Sequence, residues 1–272
     1  MPLKLAVVGS INLDLVARVD HLPRAGETVS ASSFERVPGG KGANQAVGAA
    51  RLGIQVQMFG AVGNDAFSEE ALAGLNEAGV SAYLDAVGTT GIALILVDKE
   101  GENQIAVVRG ANDFVSSYPS GGWPVLSQLE IPDEAIRNGF SNTELFFLNA
   151  SPARPVASDI IERARVVIVN RYELDALPTE PSLTVLTLGA EGAVLIESGS
   201  EVARARPPKI DVVDGTAAGD AFTACLVVSH LEHRPWDEAL RRGCAAGAIA
   251  ASLFGFQPSL PTADEVDAIL RR

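Results

Sequence analysis

The sequence contains few of the residues from which disulfide frameworks and metal clusters are built. Only two cysteines and three histidines occur among its 272 residues. The two cysteines, Cys225 and Cys244, both lie in apolar stretches, and their spacing matches no metal motif. We therefore interpret them as small buried apolar side chains, and we exclude a disulfide-stapled or zinc-organised fold.

An excess of positive charge is also missing, since the formal net charge is −13. A protein that binds nucleic acid by charge needs a basic face, so no nucleic-acid partner is expected. The longest apolar stretch, residues 244–256, is too short to span a bilayer, and small residues interrupt it. No signal-peptide pattern precedes the strand-like run at residues 5–8. We therefore expect a cytoplasmic protein without a membrane partner.

What the sequence does contain is a regular alternation of strand-like apolar runs with helical patterns. This alternation predicts an α/β fold with a mainly parallel central sheet. The predicted strands are 3–9, 55–63, 144–149, 166–170, 183–188 and 193–197. The predicted helices are 41–52, 65–79, 219–232, 236–254 and a last one that begins with a capping box at Thr262 and Glu265.

Two stretches, 13–37 and 91–108, interrupt this alternation because their strand patterns have no helix between them. We expect them to pair as an antiparallel patch outside the main sheet, forming a β lid over a core of residues 1–12, 38–90 and 109–272. The lid carries apolar side chains, Ile92, Leu94 and Leu96 among them, that the core cannot cover completely. Its exposed faces and open strand edges predict a homodimer formed through the lid.

Two polar segments lie where a ligand of an α/β protein is expected. Asn12 and Asp14 follow the first strand, at the edge where open α/β sheets bind ligands, and their side chains suit sugar hydroxyls. A polar loop with Asx turns is the alternative interpretation. Residues 39–44, Gly-Gly-Lys-Gly-Ala-Asn, begin a helix whose N-terminus favours negative charge. Their spacing matches neither a Walker A loop nor a dinucleotide fingerprint.

A third segment, residues 214–220, reads Asp-Gly-Thr-Ala-Ala-Gly-Asp and opens a helix. Its small residues expose successive backbone N–H groups, which could form an anion hole for a γ-phosphoryl group. Asp220, in the first turn, could accept the proton of an attacking hydroxyl. The alternative is an acidic side chain that only complements the helix dipole.

Together, residues 39–44 and 214–220 resemble the two signatures of the ribokinase-like, or phosphofructokinase-B-type, carbohydrate kinases. The resemblance runs from residue 8 to residue 261, and the stretches 23–28, 101–103, 110–112, 128–130 and 149–153 resemble most the members that phosphorylate ribose. It implies a three-layer α/β fold with a small β-sheet lid. It also implies ATP-dependent phosphorylation of a primary hydroxyl of a small sugar, with D-ribose, giving ribose 5-phosphate, as the first choice. A kinase for deoxyribose, a nucleoside or fructose, or a sugar- or nucleotide-binding regulator without turnover, remains as an alternative.

The resemblance assigns roles residue by residue. The sugar-binding positions are Asn12, Asp14, Gly40, Lys41, Gly42, Asn44, Glu130 and Asp220. Asp220 is also the general base, and Ala217, Ala218 and Gly219 form the anion hole. The nucleotide-binding positions are Asn170, Thr187, Gly189, Gly192, Gly219 and Cys244.

The same resemblance implies two metal ions besides ATP. Asn170 and Glu173 match positions that help to place Mg²⁺ indirectly. A second set matches the family's site for an activating monovalent cation, K⁺, held mostly by backbone carbonyls: Asp214, Thr216, Ala250, Leu253, Gly255 and Ser259. Oxygen ligands of this kind suit a hard cation.

The chain is shorter than the family pattern in the intervals 130–149 and 170–185. A parallel crossover needs about a dozen residues including its helix, so the second interval is close to the minimum. This predicts a thinned outer layer that leaves Val167, Val169 and Val185 with reduced cover.

Overall fold

The computed structural model describes residues 2–271, which form thirteen strands and eight α-helices. The strands are β1 Lys4–Val8, β2 Asn12–Val19, β3 Ala31–Gly39, β4 Gln55–Val62, β5 Ser81–Ala86, β6 Gly91–Val97, β7 Asn103–Val108, β8 Val125–Gln128, β9 Phe146–Asn149, β10 Val166–Val169, β11 Leu183–Thr187, β12 Ala193–Glu197 and β13 Ser200–Ala205. The helices are α1 Lys41–Arg51, α2 Phe67–Glu77, α3 Asp133–Phe140, α4 Ser158–Arg163, α5 Arg171–Asp175, α6 Ala218–Leu231, α7 Trp236–Ala251 and α8 Ala263–Leu270. None of the helices within 2–271 is long and apolar enough to cross a membrane.

The large sheet has nine strands in the order β13-β12-β11-β10-β9-β8-β1-β4-β5. All strands from β11 to β5 pair in parallel, and only β12 and β13, at one edge, run antiparallel to their neighbours. The predicted α/β fold with a mainly parallel sheet is therefore confirmed. The capping box at Thr262 and Glu265 is also present.

The three-layer arrangement follows from alternation along the strands. In β1, Leu5 and Val7 join one buried cluster, whereas Ala6 and Val8 join the other. The first cluster is covered by α1, α2, α6, α7 and α8, and the second by α3 and α4. Parallel strands buried on both faces are expected to be apolar throughout, and β10, Val-Val-Ile-Val, has this composition.

The small sheet, which we define as β3-β2-β6-β7, corrects one sequence prediction. Its outer pairs are antiparallel, but its central pair, β2 and β6, is parallel. The reason is the topology of the large sheet. β2 leaves it just after β1 and β6 leaves it just after β5, and these two strands already point the same way.

The predicted loss of cover over the shortened intervals is wrong. Val167, Val169 and Val185 are all at most 1% exposed. On one face, Val167 and Val169 pack in a cluster to which Leu174, Leu177 and Leu186 contribute. On the other face, Val185 packs in the cluster of α6 and α7. The five-residue α5 and the turn that follows it are thus enough to close this crossover.

The start of α1 is pressed against the loop that follows β1. The N–H of Ala43 donates to the Ser10 carbonyl at 2.9 Å. A Cβ on Gly42 would lie 2.6 Å from the Ser10 backbone nitrogen, and Gly40 has φ +88°. Any other residue at these two positions would push α1 away or strain the backbone.

Candidate active site

The predicted sugar-binding residues meet at the carboxyl end of β1. Asn12 and Asp14 lie at the start of β2 and are both 3% exposed, and Asn44 on α1 is equally buried. One carboxylate joins the segments, since Glu130 Oε2 accepts from Ser10 Oγ at 2.5 Å and from the Lys41 backbone N–H at 3.0 Å. The loop after β8 therefore ties the end of β1 to the start of α1.

Asp14 is a buried carboxyl group with an unused acceptor. Its Oδ1 has no hydrogen-bond partner within residues 2–271. Burial, and after it the negative charges of Glu130 and Asp220, raise the pKa of Asp14 to about 7, against the lowering effect of Lys41. A buried acceptor without a partner is costly unless a ligand supplies the donor.

Lys41 is the positive centre of this acidic site. Burial lowers the pKa of its ammonium group, but the charges of Asp220, Glu130, Glu173 and Asp14 outweigh burial and raise that pKa above its usual value. Lys41 therefore remains charged and offsets the surrounding carboxylates. A charge of this kind can also offset a phosphate group.

Asp220, in the first turn of α6, is held by two amide side chains of α1. Asn44 Nδ2 donates to Oδ2 at 2.9 Å, and Gln45 Nε2 donates to Oδ1 at 2.8 Å. Burial raises the pKa of Asp220, while Lys41 and these two hydrogen bonds act in the opposite direction. The two hydrogen bonds hold both oxygens of the carboxylate in place at the start of α6, within the electrostatic influence of Lys41.

The predicted anion-hole residues form the beginning of α6. Ala217 precedes the helix and is 1% exposed, and Ala218 begins it. The Ala218 N–H donates to the Gly215 carbonyl at 3.2 Å. The Ala218 amide must therefore release this bond before it can receive a phosphate. The N–H groups of Gly219 and Asp220 belong to the first helical turn and have no intrahelical acceptor, whereas the next one, on Ala221, donates to the Ala217 carbonyl at 2.9 Å.

All six predicted nucleotide-binding residues line a single cavity of about 590 Å³. They are Asn170, Thr187, Gly189, Gly192, Gly219 and Cys244. The rest of the wall is mostly small or apolar, including Pro207, Pro208 and Phe222. Cys244 is 4% exposed, and burial raises the pKa of its thiol to about 12. The thiol is therefore an apolar wall component and not a nucleophile.

Asn170 and Glu173 form a capping box at the start of α5. Each side chain accepts the other residue's backbone N–H, at 2.9 and 2.8 Å. Within residues 2–271 no three acidic, histidine or cysteine side chains are grouped to hold a metal ion alone. The single buried carboxylate of Glu173 fits Mg²⁺, which is commonly held by one or two carboxylates together with substrate phosphates and water.

The structure brings most of the predicted cation-site residues into two adjoining loops. Asp214 Oδ1 accepts from the backbone N–H and the hydroxyl of Thr216. The N–H of Asp214 donates to the Ala251 carbonyl at 3.1 Å, and the Gly255 N–H lies 3.5 Å from Asp214 Oδ2. Ala250 is buried, Leu253 is exposed, and Ser259 donates its hydroxyl to the Phe256 carbonyl.

Sequence reasoning missed a set of buried amide side chains behind the site. Asn112 Nδ2 donates to Asn12 Oδ1 at 2.8 Å, and Gln257 Nε2 donates to Asn44 Oδ1 at 3.1 Å. Gln45, Gln128 and Asn149 form a third group. The available signal was that Gln128 and Asn149 lie in stretches that carry the resemblance, and that Gln45 directly follows residues 39–44. Only their partners, far away in sequence, give them a role.

The fold and this site define a carbohydrate kinase. The chain matches the family model described as pfkB family carbohydrate kinase over residues 2–120 and 133–263, and it belongs to that family. It is 37% identical to a ribokinase of Bacillus subtilis, over 98% of this chain and 99% of that one. It is 36% identical to a ribokinase of Lactococcus lactis, over 98% and 97%.

Solved structures agree with this membership. A ribokinase from Thermotoga maritima superposes with a TM-score of 0.85 at 30% identity, over 99% of this chain and 100% of that one. An Arabidopsis thaliana ribokinase complexed with ribose and ATP gives a TM-score of 0.88 at 28% identity, with both chains covered completely. The Bacillus alignment spans 291 positions and covers nearly all of the relative, so the shortening of this chain is internal.

Proposed function

We propose that this carbohydrate kinase transfers the γ-phosphoryl group of ATP to the primary hydroxyl of ribose. The observation that carries the proposal is the hydrogen bond from Asn44 to Asp220. It joins the sugar-side motif at the start of α1 to the start of α6. Gly219, next to Asp220, lines the cavity formed by the predicted nucleotide-binding residues. Acceptor hydroxyl and donor phosphate would therefore meet at Asp220.

Each group then has a task that its position supports. Asp220 accepts the proton of the attacking hydroxyl, the role of the aspartate in many phosphoryl-transfer enzymes. Asp14 Oδ1, which has no partner within residues 2–271, accepts a hydrogen bond from a sugar hydroxyl. Lys41 and the first-turn amides of α6 offset the charge on the transferred group. Catalysis in this scheme is positioning combined with electrostatic stabilisation.

The choice of sugar rests on relatives. Those with the highest identities given above are named ribokinases, and the Arabidopsis structure contains ribose and ATP. A deoxyribokinase of Salmonella typhi is also 28% identical over 98% of this chain, so 2-deoxyribose is the second candidate. A regulator without turnover is disfavoured because Asp220 and the Asn170–Glu173 pair are intact.

A coupled assay of ADP release tests the proposal. The acceptors are ribose, 2-deoxyribose, fructose and adenosine, each at saturating ATP and Mg²⁺. We expect the highest kcat/KM with ribose. A preference for 2-deoxyribose selects the second candidate, and no turnover with any acceptor selects the regulator.

The metal ions have roles that extend the same scheme. Mg²⁺, brought in with ATP, would supply charge neutralisation of the phosphates, with Glu173 and Asn170 beside it. K⁺ would occupy the loops of Asp214 and residues 250–259, where it would order the backbone amides of residues 217–219. Kinase assays in sodium-only, potassium-only and bulky-cation buffers test the latter role. Equal kcat in all three would contradict it.

We propose that the small sheet acts as a lid over the sugar and as the interface of a homodimer. Leu94, Val108 and Phe34 lie on one of its faces and are 49%, 50% and 61% exposed. All six residues of the edge strand β7 are exposed as well. A second copy that covered this face and edge would bury apolar groups that water now contacts.

A further inference from the structure

Behind Asp220 lies a chain of three buried amide side chains. Gln45 Nε2 donates both to Asp220 Oδ1 and to Asn149 Oδ1, each at 2.8 Å. Gln128 Nε2 donates to Gln45 Oε1 at 2.6 Å. Gln45 and Gln128 are fully buried and Asn149 is 7% exposed. The three residues come from α1, from the end of β8 and from the end of β9.

A backbone carbonyl fixes the orientation of these amide groups. Asn149 Nδ2 donates to the Ile168 carbonyl of β10 at 3.2 Å. A backbone carbonyl can only accept, so the amide nitrogen of Asn149 must face it, and Oδ1 must face Gln45. Gln45 can then meet Asn149 only with its own nitrogen. The second N–H of that nitrogen is thereby directed to Asp220.

We propose that Asn149 and Gln45 are positioning residues that transmit the fixed polarity of the Ile168 carbonyl to Asp220, so that Asp220 always meets a donor. The proposal rests on the proposed function, in which Asp220 is the general base. Without this anchor, the amide of Gln45 could turn over. Its oxygen would then face the carboxylate and favour the protonated, inactive form.

Loss of the Asn149 anchor would affect catalysis by changing the ionisation of Asp220. The charged groups that act on it come from several elements: Lys41 on α1, Asp14 on β2 and Glu130 after β8. Glu173 on α5 acts on the same lysine. Burial and the acidic groups favour the neutral acid, whereas Lys41 and the two amide donors favour the base. Removing one donor shifts this balance towards the acid.

The test compares Asn149→Leu and Gln45→Met with Gln128→Met. The third variant also removes a hydrogen bond to Gln45 and substitutes an apolar side chain, but it leaves the Asn149 anchor in place. For the first two variants we expect kcat to fall about 10- to 100-fold, with the KM for ribose changed less than about threefold. The acid limb of their kcat–pH profile moves up by about one unit. For Gln128→Met that limb stays within about 0.3 unit of the parent.

Two outcomes would overturn the inference. One is an unshifted acid limb in Asn149→Leu and Gln45→Met, with only thermal stability reduced. The other is an equal shift in all three variants, which would indicate general loosening. If Asn149→Leu does not fold, as judged by thermal unfolding, Gln45→Met carries the test. Parallel measurement of Asp220→Asn separates the proposals. An active Asp220→Asn refutes the general base itself, whereas an inactive one with unshifted positioning variants refutes only this inference.

Discussion

At the residue scale, the two aspartates of the site are buried to a similar extent but have different partners. Asp220 accepts hydrogen bonds from Asn44 and Gln45, while Asp14 Oδ1 has no partner. Burial raises the pKa of both carboxyl groups, and Lys41 counteracts this effect in both. The environment of Asp220 suits a base that is held in one position. The environment of Asp14 suits an acceptor whose hydrogen-bond donor is a substrate hydroxyl.

Asp220→Asn should lower kcat by about 10²–10⁴-fold, because asparagine keeps the size of the side chain but cannot accept the proton. The new amide nitrogen must also face one of the two donors, Asn44 or Gln45, so some loss of stability is expected. Steady-state kinetics with ribose measure the first effect. The matched control is Asp237→Asn, in the first turn of α7, where the carboxylate is exposed and pairs with Arg241. It should leave turnover unchanged, and a similar loss in both variants would contradict the assignment.

Asp14→Asn should flatten the pH dependence of stability. The pKa of Asp14 is about 7 in the folded chain, against the ordinary value of 3.8 that applies to the unfolded chain. Folding therefore favours the protonated form. Stability from this group is therefore complete below pH 4 and is lost as the pH rises to 7, at about 1.4 kcal/mol for each pKa unit. Denaturant unfolding at pH 4 to 8 measures the slope. Asp20→Asn, at an exposed position, should keep the parental slope, and an unchanged slope in Asp14→Asn would refute the shift.

At the element scale, short secondary structure is enough where apolar side chains meet on both faces of the sheet. The crossover from β10 to β11 contains only the five-residue α5, yet β10 is buried throughout and β11 is buried over its first three residues. Partly buried leucines around α5 complete the outer cluster on that side. The length of a helix is therefore a poor guide to the cover that it provides.

Hydrogen exchange should reflect burial and not helix length. We expect the amides of β10 to be protected as strongly as those of β1, because both strands are interior and paired on both sides. The edge strands β5 and β13 should exchange first. Native-state exchange followed by mass spectrometry gives the order. Early exchange of the β10 amides would mean that the short α5 does not protect this strand from local unfolding.

At the scale of the whole molecule, the small sheet exposes a group of large apolar side chains to water: Phe34, Leu94, Ile105, Val107 and Val108. Leu94 is half-exposed although it lies in a central strand of that sheet, and no strand pairs with the outer edge of β7 within residues 2–271.

Leu94→Lys should convert the proposed homodimer to monomers at micromolar concentration, because a charge would be placed in the apolar interface. Light scattering measures the mass. Val202→Lys on β13 is the matched control, since Val202 is 53% exposed and Leu94 49%. It should leave the mass of a dimer unchanged. A parent chain that is strictly monomeric would contradict the proposal.

The sequence by itself determined the α/β class and the segments that build the site. Both are local properties: strand and helix periodicities extend over a few residues, and a helix start rich in glycine and alanine is visible in six or seven positions. The parallel pairing of β2 with β6 and the burial of Val167 were decided by topology, which places strands from distant segments side by side. The same holds for the polarity of the amides behind Asp220. Gln45 lies 104 positions from Asn149 and 175 from Asp220, and an amide has no preferred direction until both of its neighbours are in place.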